Sequence, residues 1–135
     1  MLKTILFPGL LTIAIVTAPP KSTHWVGTVP NDPNNDRISF VVSPDGKQLS
    51  ELTFDGYWRC GGQLERQVVN PKSSFSIVNG KVSGEALDPP TGGTWHFELQ
   101  GDFTGKPAAP NTFRMNITGL GCSSYQREWA AAPVR

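Results

Sequence analysis

The chain has 135 residues, with 12 Lys and Arg against 11 Asp and Glu and a formal net charge of +1. This length predicts one domain. The near-neutral balance argues against nucleic acid as the main partner, because phosphate binding needs a basic face. Fourteen glycines and 12 prolines stand above the average of roughly 12 % for the pair, which favours short strands and tight turns over helices.

The first residues read MLKTILFPGLLTIAIVTA. Lys3, an apolar run from Ile5 to Val16 and a small residue, Ala18, follow the plan of a secretory signal peptide. The run is shorter than the about 20 residues of a membrane span, and no cysteine follows it to carry a lipid. Pro19 directly after Ala18 leaves the cleavage point open. Loss of residues 1–18 removes Lys3 and leaves 11 basic and 11 acidic residues. No membrane span is expected after that loss, and no electrostatic membrane anchor.

Residues 19–36 read as a flexible lead-in with a short strand, His24 to Val29, followed by a loop, PNDPNND, rich in turn formers. Ile38, Phe40 and Val42 then alternate with polar residues, the period-2 pattern of a half-buried strand. SPDGK supplies a tight turn: Pro44 presets φ, Asp45 bonds its own backbone and Gly46 accepts a positive φ. The chain returns through Gln48 to Cys60, with Leu52, Phe54, Gly56, Trp58 and Cys60 on one face and Tyr57 and Arg59 on the other.

Asn79-Gly80 lies between two alternating runs and predicts a two-residue type I′ hairpin. Counting outward pairs Val78 with Lys81, Ile77 with Val82 and Phe75 with Gly84. Glu85 to Gly93 reads as a loop. Trp95, Phe97, Leu99, Gly101 and Phe103 share the next apolar face, opposite His96, Glu98 and Gln100. Phe113, Met115 and Ile117 follow, and YQREWAA makes a last strand. The result is an all-β domain over residues 37–132, an antiparallel β-sandwich of about seven to nine strands, with a small closed β-barrel as the alternative.

Cys60 and Cys122 are the two cysteines. In an exported chain such a pair is expected to join, closing a loop of about 60 residues worth roughly 4 kcal/mol in the chain-entropy model. The rival reading is two free thiols or half a metal site, and no Cys-x-x-Cys spacing favours it.

The landmarks ISFVVSPDGKQLSELTF, WRC, FSIVNGKVSG, WHFELQGDFTG, TFRMNITGLGC and EWAA together resemble a widespread group of uncharacterised secreted bacterial all-β domains. Members carry an SPDGK turn, a mid-chain cysteine and a closing Cys followed by Trp-x-Ala, here Cys122 and Trp129. The resemblance runs from Ile38 to Ala131 and implies a fold, not an activity. AAPNTF departs from the group's usual ASGT-F rhythm at Pro110.

Chemistry is sparse. His96 and Glu98 share a strand face, but two ligands without a third do not make a metal site, so no metal and no cofactor are assigned. There is no Gly-x-Ser-x-Gly elbow, and Ser73, Ser74, Ser123 and Ser124 lie in turn-like sequence without a base. No catalytic residue is assigned. Asn116-Ile117-Thr118 is a glycosylation sequon near chance frequency. Of the four tryptophans, Trp58 and Trp95 read as core, and Trp129 is expected near the disulfide. Trp25 and Tyr57 remain as possible ligand-binding aromatics, since a flat exposed ring gives much contact at small entropy cost. The expectation is a secreted or periplasmic, non-catalytic binding domain for an unknown protein or glycan. The alternatives are a small secreted hydrolase using carboxylates and a structural subunit that assembles through edge strands.

Overall fold

The structure is a computed structural model that describes residues 8, 9, 11, 20–88, 95–105, 110–117 and 121–135. The leader expected over residues 1–18 lies almost wholly outside the described residues. So do loop residues 89–93, the break at 106–109 and Thr118 of the sequon.

The described residues form strands and turns, in the order β1 Thr23–Thr28, β2 Arg37–Val42, β3 Gln48–Cys60, β4 Gln63–Val69, β5 Phe75–Val78, β6 Lys81–Asp88, β7 Trp95–Asp102, β8 Thr112–Ile117, β9 Cys122–Ser123, β10 Arg127–Glu128 and β11 Ala130–Pro133. All pairings are antiparallel, within one sheet. The pairing order runs β10-β8-β7-β6-β5-β3-β2-β1-β11. β10 and β11 are successive halves of one C-terminal segment, separated by Trp129 alone. The sheet therefore curls over its own core until its two ends meet at that residue. The all-β antiparallel expectation holds.

Alternation places the core. Ile38, Phe40, Leu52, Phe54, Trp58, Phe97, Leu99, Phe113 and Met115 are sealed from solvent and pack as one cluster, each large side chain contributing roughly 1.5–3 kcal/mol. Trp58 stacks on Trp95 at 5.3 Å, and Trp95 on Phe97 at 6.4 Å. Trp129 packs not at the disulfide, as expected, but edge-on to Phe40 at 5.5 Å and beside Phe103. The chain turns inward between β10 and β11 and carries its ring to the seam.

The turns follow local chemistry. Asn79 and Gly80 both have positive φ, 52° and 74°, and the ladder pairs Val78 with Lys81 and Ile77 with Val82 as counted. In SPDGK, Asp45 Oδ1 accepts from Ser43 Oγ and from Lys47 N, and Gly46 has φ 71°.

Four stretches differ from expectation. The lead-in is built into the sheet from Thr23, with β1 held between β2 and β11. Glu85 to Asp88 is strand rather than loop, because β6 keeps its register with β7 as far as Asp88↔Trp95. β4 is a further strand, joined to β3 through Gly61 and Gly62 at φ 57° and 84°. The last strand is broken in two at Trp129.

The expected disulfide is present: Cys60 and Cys122 are register partners across β3 and β9, with Cα atoms 4.0 Å apart. It ties β3 to a short strand that also pairs with β8, so one covalent bond fastens both sides of the folded sheet.

Candidate functional site

The sheet's outer face carries two polar hollows. The first lies beside Tyr57. β3 presents Asp55 and Tyr57 outward, because their even-numbered neighbours Phe54, Gly56 and Trp58 face the core. β4 brings Arg66 opposite Tyr57 in the ladder. Arg66 grips Asp55 through its Nε and Nη2 edge, at 3.0, 2.9 and 3.1 Å, a bidentate geometry that fixes a planar charged group at the rim. Arg37 from β2, and Asn34 and Asn35 from the loop before it, complete a hollow of about 340 Å3.

The floor of this hollow is anchored from below. The loop of residues 30–36 folds on Asp32, whose carboxylate accepts from Asn34 N at 3.3 Å and Asp36 N at 2.8 Å. Asp36 then passes under β3, and its Oδ1 accepts the Tyr57 N–H at 2.9 Å. Its side chain is 0 % exposed and that of Asp32 4 %; Arg127 stands 3.4 Å from both carboxylates. Burial pushes the Asp36 carboxyl above the ordinary carboxylate range, against the pull of the Tyr57 N–H; the nearby Asp32 charge adds to the rise and Arg127 opposes it. One half-exposed arginine thus serves two buried carboxylates. The cluster holds the loop and β10 against β3 and positions the backbone of Tyr57.

Trp25, the other expected ligand-binding aromatic, does not share this face. It is the register partner of Phe40, stacks on that ring at 6.0 Å and meets Phe103 edge-on at 5.2 Å. Its ring packs against the core, on the side of the sheet opposite Tyr57, so the two cannot form one platform.

The second hollow, about 390 Å3, lies over β6, β7 and β8 and is lined in part by Glu85, Glu98, Arg114 and Gln126. Glu85 and Glu98 are direct cross-strand partners. His96 Nε2 lies 3.4 Å from Glu85 Oε2, and Glu85, His96 and Glu98 each offer a metal-ligating atom within 4.8 Å of the others. Reading Glu85 as loop hides this cluster in the sequence. The signal that reveals it is the alternation of Val82, Gly84 and Ala86, which runs on past the hairpin and turns Ser83, Glu85 and Leu87 outward.

No protein-family model matches this chain, and no curated protein or solved structure matches it either.

Proposed function

We propose that this chain is an exported, disulfide-stapled binding module that takes a carbohydrate in the hollow beside Tyr57, without catalysis. The observation that carries this reading is the company Tyr57 keeps. A phenol ring, two amides, a carboxylate and two guanidinium groups converge on one hollow of about 340 Å3. A sugar offers a C–H face to an aromatic ring and a rim of hydroxyls that both give and accept hydrogen bonds. The phenol face answers the first, and amide, carboxylate and guanidinium groups answer the second. A wall this polar disfavours an apolar ligand.

Export and extracytoplasmic residence rest on the leader pattern of residues 1–18 and on the Cys60–Cys122 bond, since disulfides persist in oxidising compartments. Among the described residues no helix is long and apolar enough to cross a membrane. Membership of the group of secreted bacterial domains that residues 38–131 resemble belongs to the same proposal.

Hydrolysis by carboxylates finds less support. Asp32 and Asp36 do meet, but both are sealed beneath β3 and engaged in holding the loop; Glu85 and Glu98 meet on the open outer face, but as direct cross-strand partners on one wall rather than on opposite walls of a cleft. Assembly through an edge has one observation in its favour. Among the described residues β4 pairs only with β3, and its Leu64 and Val68 are 51 % and 66 % exposed.

The test is a glycan array probed with the whole protein, followed by titration of the best ligand. Tyr57→Ala and Asn34→Ala should each weaken binding about tenfold, the scale of one stacking or hydrogen-bonding contact. Retention of no glycan, or full binding by both variants, overturns the reading.

A further inference from the structure

We propose that Glu85, His96 and Glu98 form a site for a divalent transition-metal ion of the zinc class, on the outer face of β6 and β7 and on strands other than those that carry Tyr57. Ligands about 2.1 Å from one tetrahedral ion stand about 3.4 Å from one another. His96 Nε2 and Glu85 Oε2 already stand 3.4 Å apart, and the whole set of ligand atoms lies within 4.8 Å. The Glu85 side chain is 68 % exposed, so a small rotation closes the remaining gap. The backbone needs no adjustment, because the three residues sit on one unbroken ladder from Lys81↔Asp102 to Asp88↔Trp95.

Two further observations point to a cation. Glu85 and Glu98 face each other directly across the ladder, where like charges repel; an ion between them turns that repulsion into attraction. Arg114 is the partner of Glu98 on the β8 side, yet among the described residues the two form no ion pair. On the far side of His96, its β8 partner Asn116 carries a buried amide oxygen with no hydrogen-bond partner. Side chains directly opposite one another lie within about 5 Å. That oxygen does not bond the imidazole in this structure; a side-chain rotation that brings it to the His96 Nδ1–H would leave Nε2 free toward the two carboxylates. Histidine ligands are commonly oriented by such an acceptor on the other ring nitrogen.

One imidazole and two carboxylates suit Zn2+, Co2+ or Mn2+. Ca2+ favours an all-oxygen shell of six to eight ligands, and Cu(I) favours sulfur. Three protein ligands at the outer face of β6 and β7 leave a position open to water or to an anionic group of an incoming molecule.

The test is titration of the chelator-stripped whole protein with Zn2+ by calorimetry and with Co2+ by visible absorption, alongside His96→Ala, Glu98→Gln and His24→Ala. The proposal expects one ion per chain and affinity about 30-fold lower or worse in His96→Ala and Glu98→Gln, with His24→Ala unchanged. In the unaltered protein, equimolar Zn2+ should move the His96 Nε2 resonance in a 15N imidazole spectrum, a result that depends on no variant. No saturable uptake below about 1 mM (a free energy near −4 kcal/mol), uptake that survives His96→Ala, or a His96 ring unmoved by Zn2+ overturns it.

Discussion

The carboxyl group of Asp36 fills the space that a side chain at position 56 would need: a Cβ added to Gly56 would collide with Asp36 Cγ and lie 2.7 Å from Phe54 Cζ. Glycine at this point lets the loop of residues 30–36 lock beneath β3, and the lock holds the backbone N–H of Tyr57. The Tyr57 backbone and the buried acid are thus two sides of one contact.

Gly56→Ala must therefore eject the carboxyl or bend β3. Overpacking of this kind, together with a lost hydrogen bond to a charged group, costs about 2–3 kcal/mol. Urea unfolding of the variant should show that loss, and glycan binding should weaken with it. A variant as stable as the parent contradicts the close contact.

The buried acid also sets a pH dependence. Burial holds the Asp36 carboxyl above its ordinary value of 3.8, so between 3.8 and the raised value the native protein keeps a proton that the unfolded chain has released. Stability from this group is fully present below the unfolded value and is lost as pH rises through the folded one. Asp36→Asn removes the titration. The stability difference between parent and variant, followed by urea unfolding from pH 3 to 8, should shift toward the variant as pH rises through the window and then level off. A difference that ignores pH, or moves the other way, contradicts this account.

Glu51 sits at φ 51°, on the extra residue where the β2–β3 register slips. Left-handed backbone costs a side-chain-bearing residue about 1–2 kcal/mol, and glycine is free of that cost at the expense of greater freedom when unfolded. Glu51→Gly should gain about 0.5–1 kcal/mol. A loss of the size that glycine causes in a regular strand rules out a bulge here.

The Cys60–Cys122 bond joins residues separated by 62 positions. Replacing both with alanine should cost about 4 kcal/mol in the chain-entropy model, measured as a shift in urea midpoint. A loss below about 1 kcal/mol shows that the sheet is held without its staple.

What was legible in the sequence is what local chemistry dictates. Asn79-Gly80 and SPDGK announce their turns because the residues that adopt positive φ are few, and the even-numbered face of β3 is visible from Leu52 onward. The Glu51 bulge was not legible: it places Leu49 and Leu52 on the same buried face although they are three apart, which breaks the period that marks a strand. β4 was hidden because the burial that writes a hydrophobic pattern is missing. Only Val69 reaches the core, and both faces are otherwise largely exposed; Gly61-Gly62 was the available cue. Asp36 in an Asn- and Pro-rich loop looks like any solvated acid. Its burial arises from Gly56 and Arg127, contacts that the fold alone brings together. Reading Glu85 as loop leaves it out of the His96–Glu98 pair, although the Val82–Gly84–Ala86 alternation already carries the strand through it.

The most direct measurement is a 1H–15N spectrum of the whole protein titrated with the glycan it retains best. Perturbations gathered at Asn34, Asn35, Asp55, Tyr57 and Arg66, and abolished in Tyr57→Ala, are the predicted result. Perturbations centred on another face of the sheet, or none with any glycan tried, contradict the binding site.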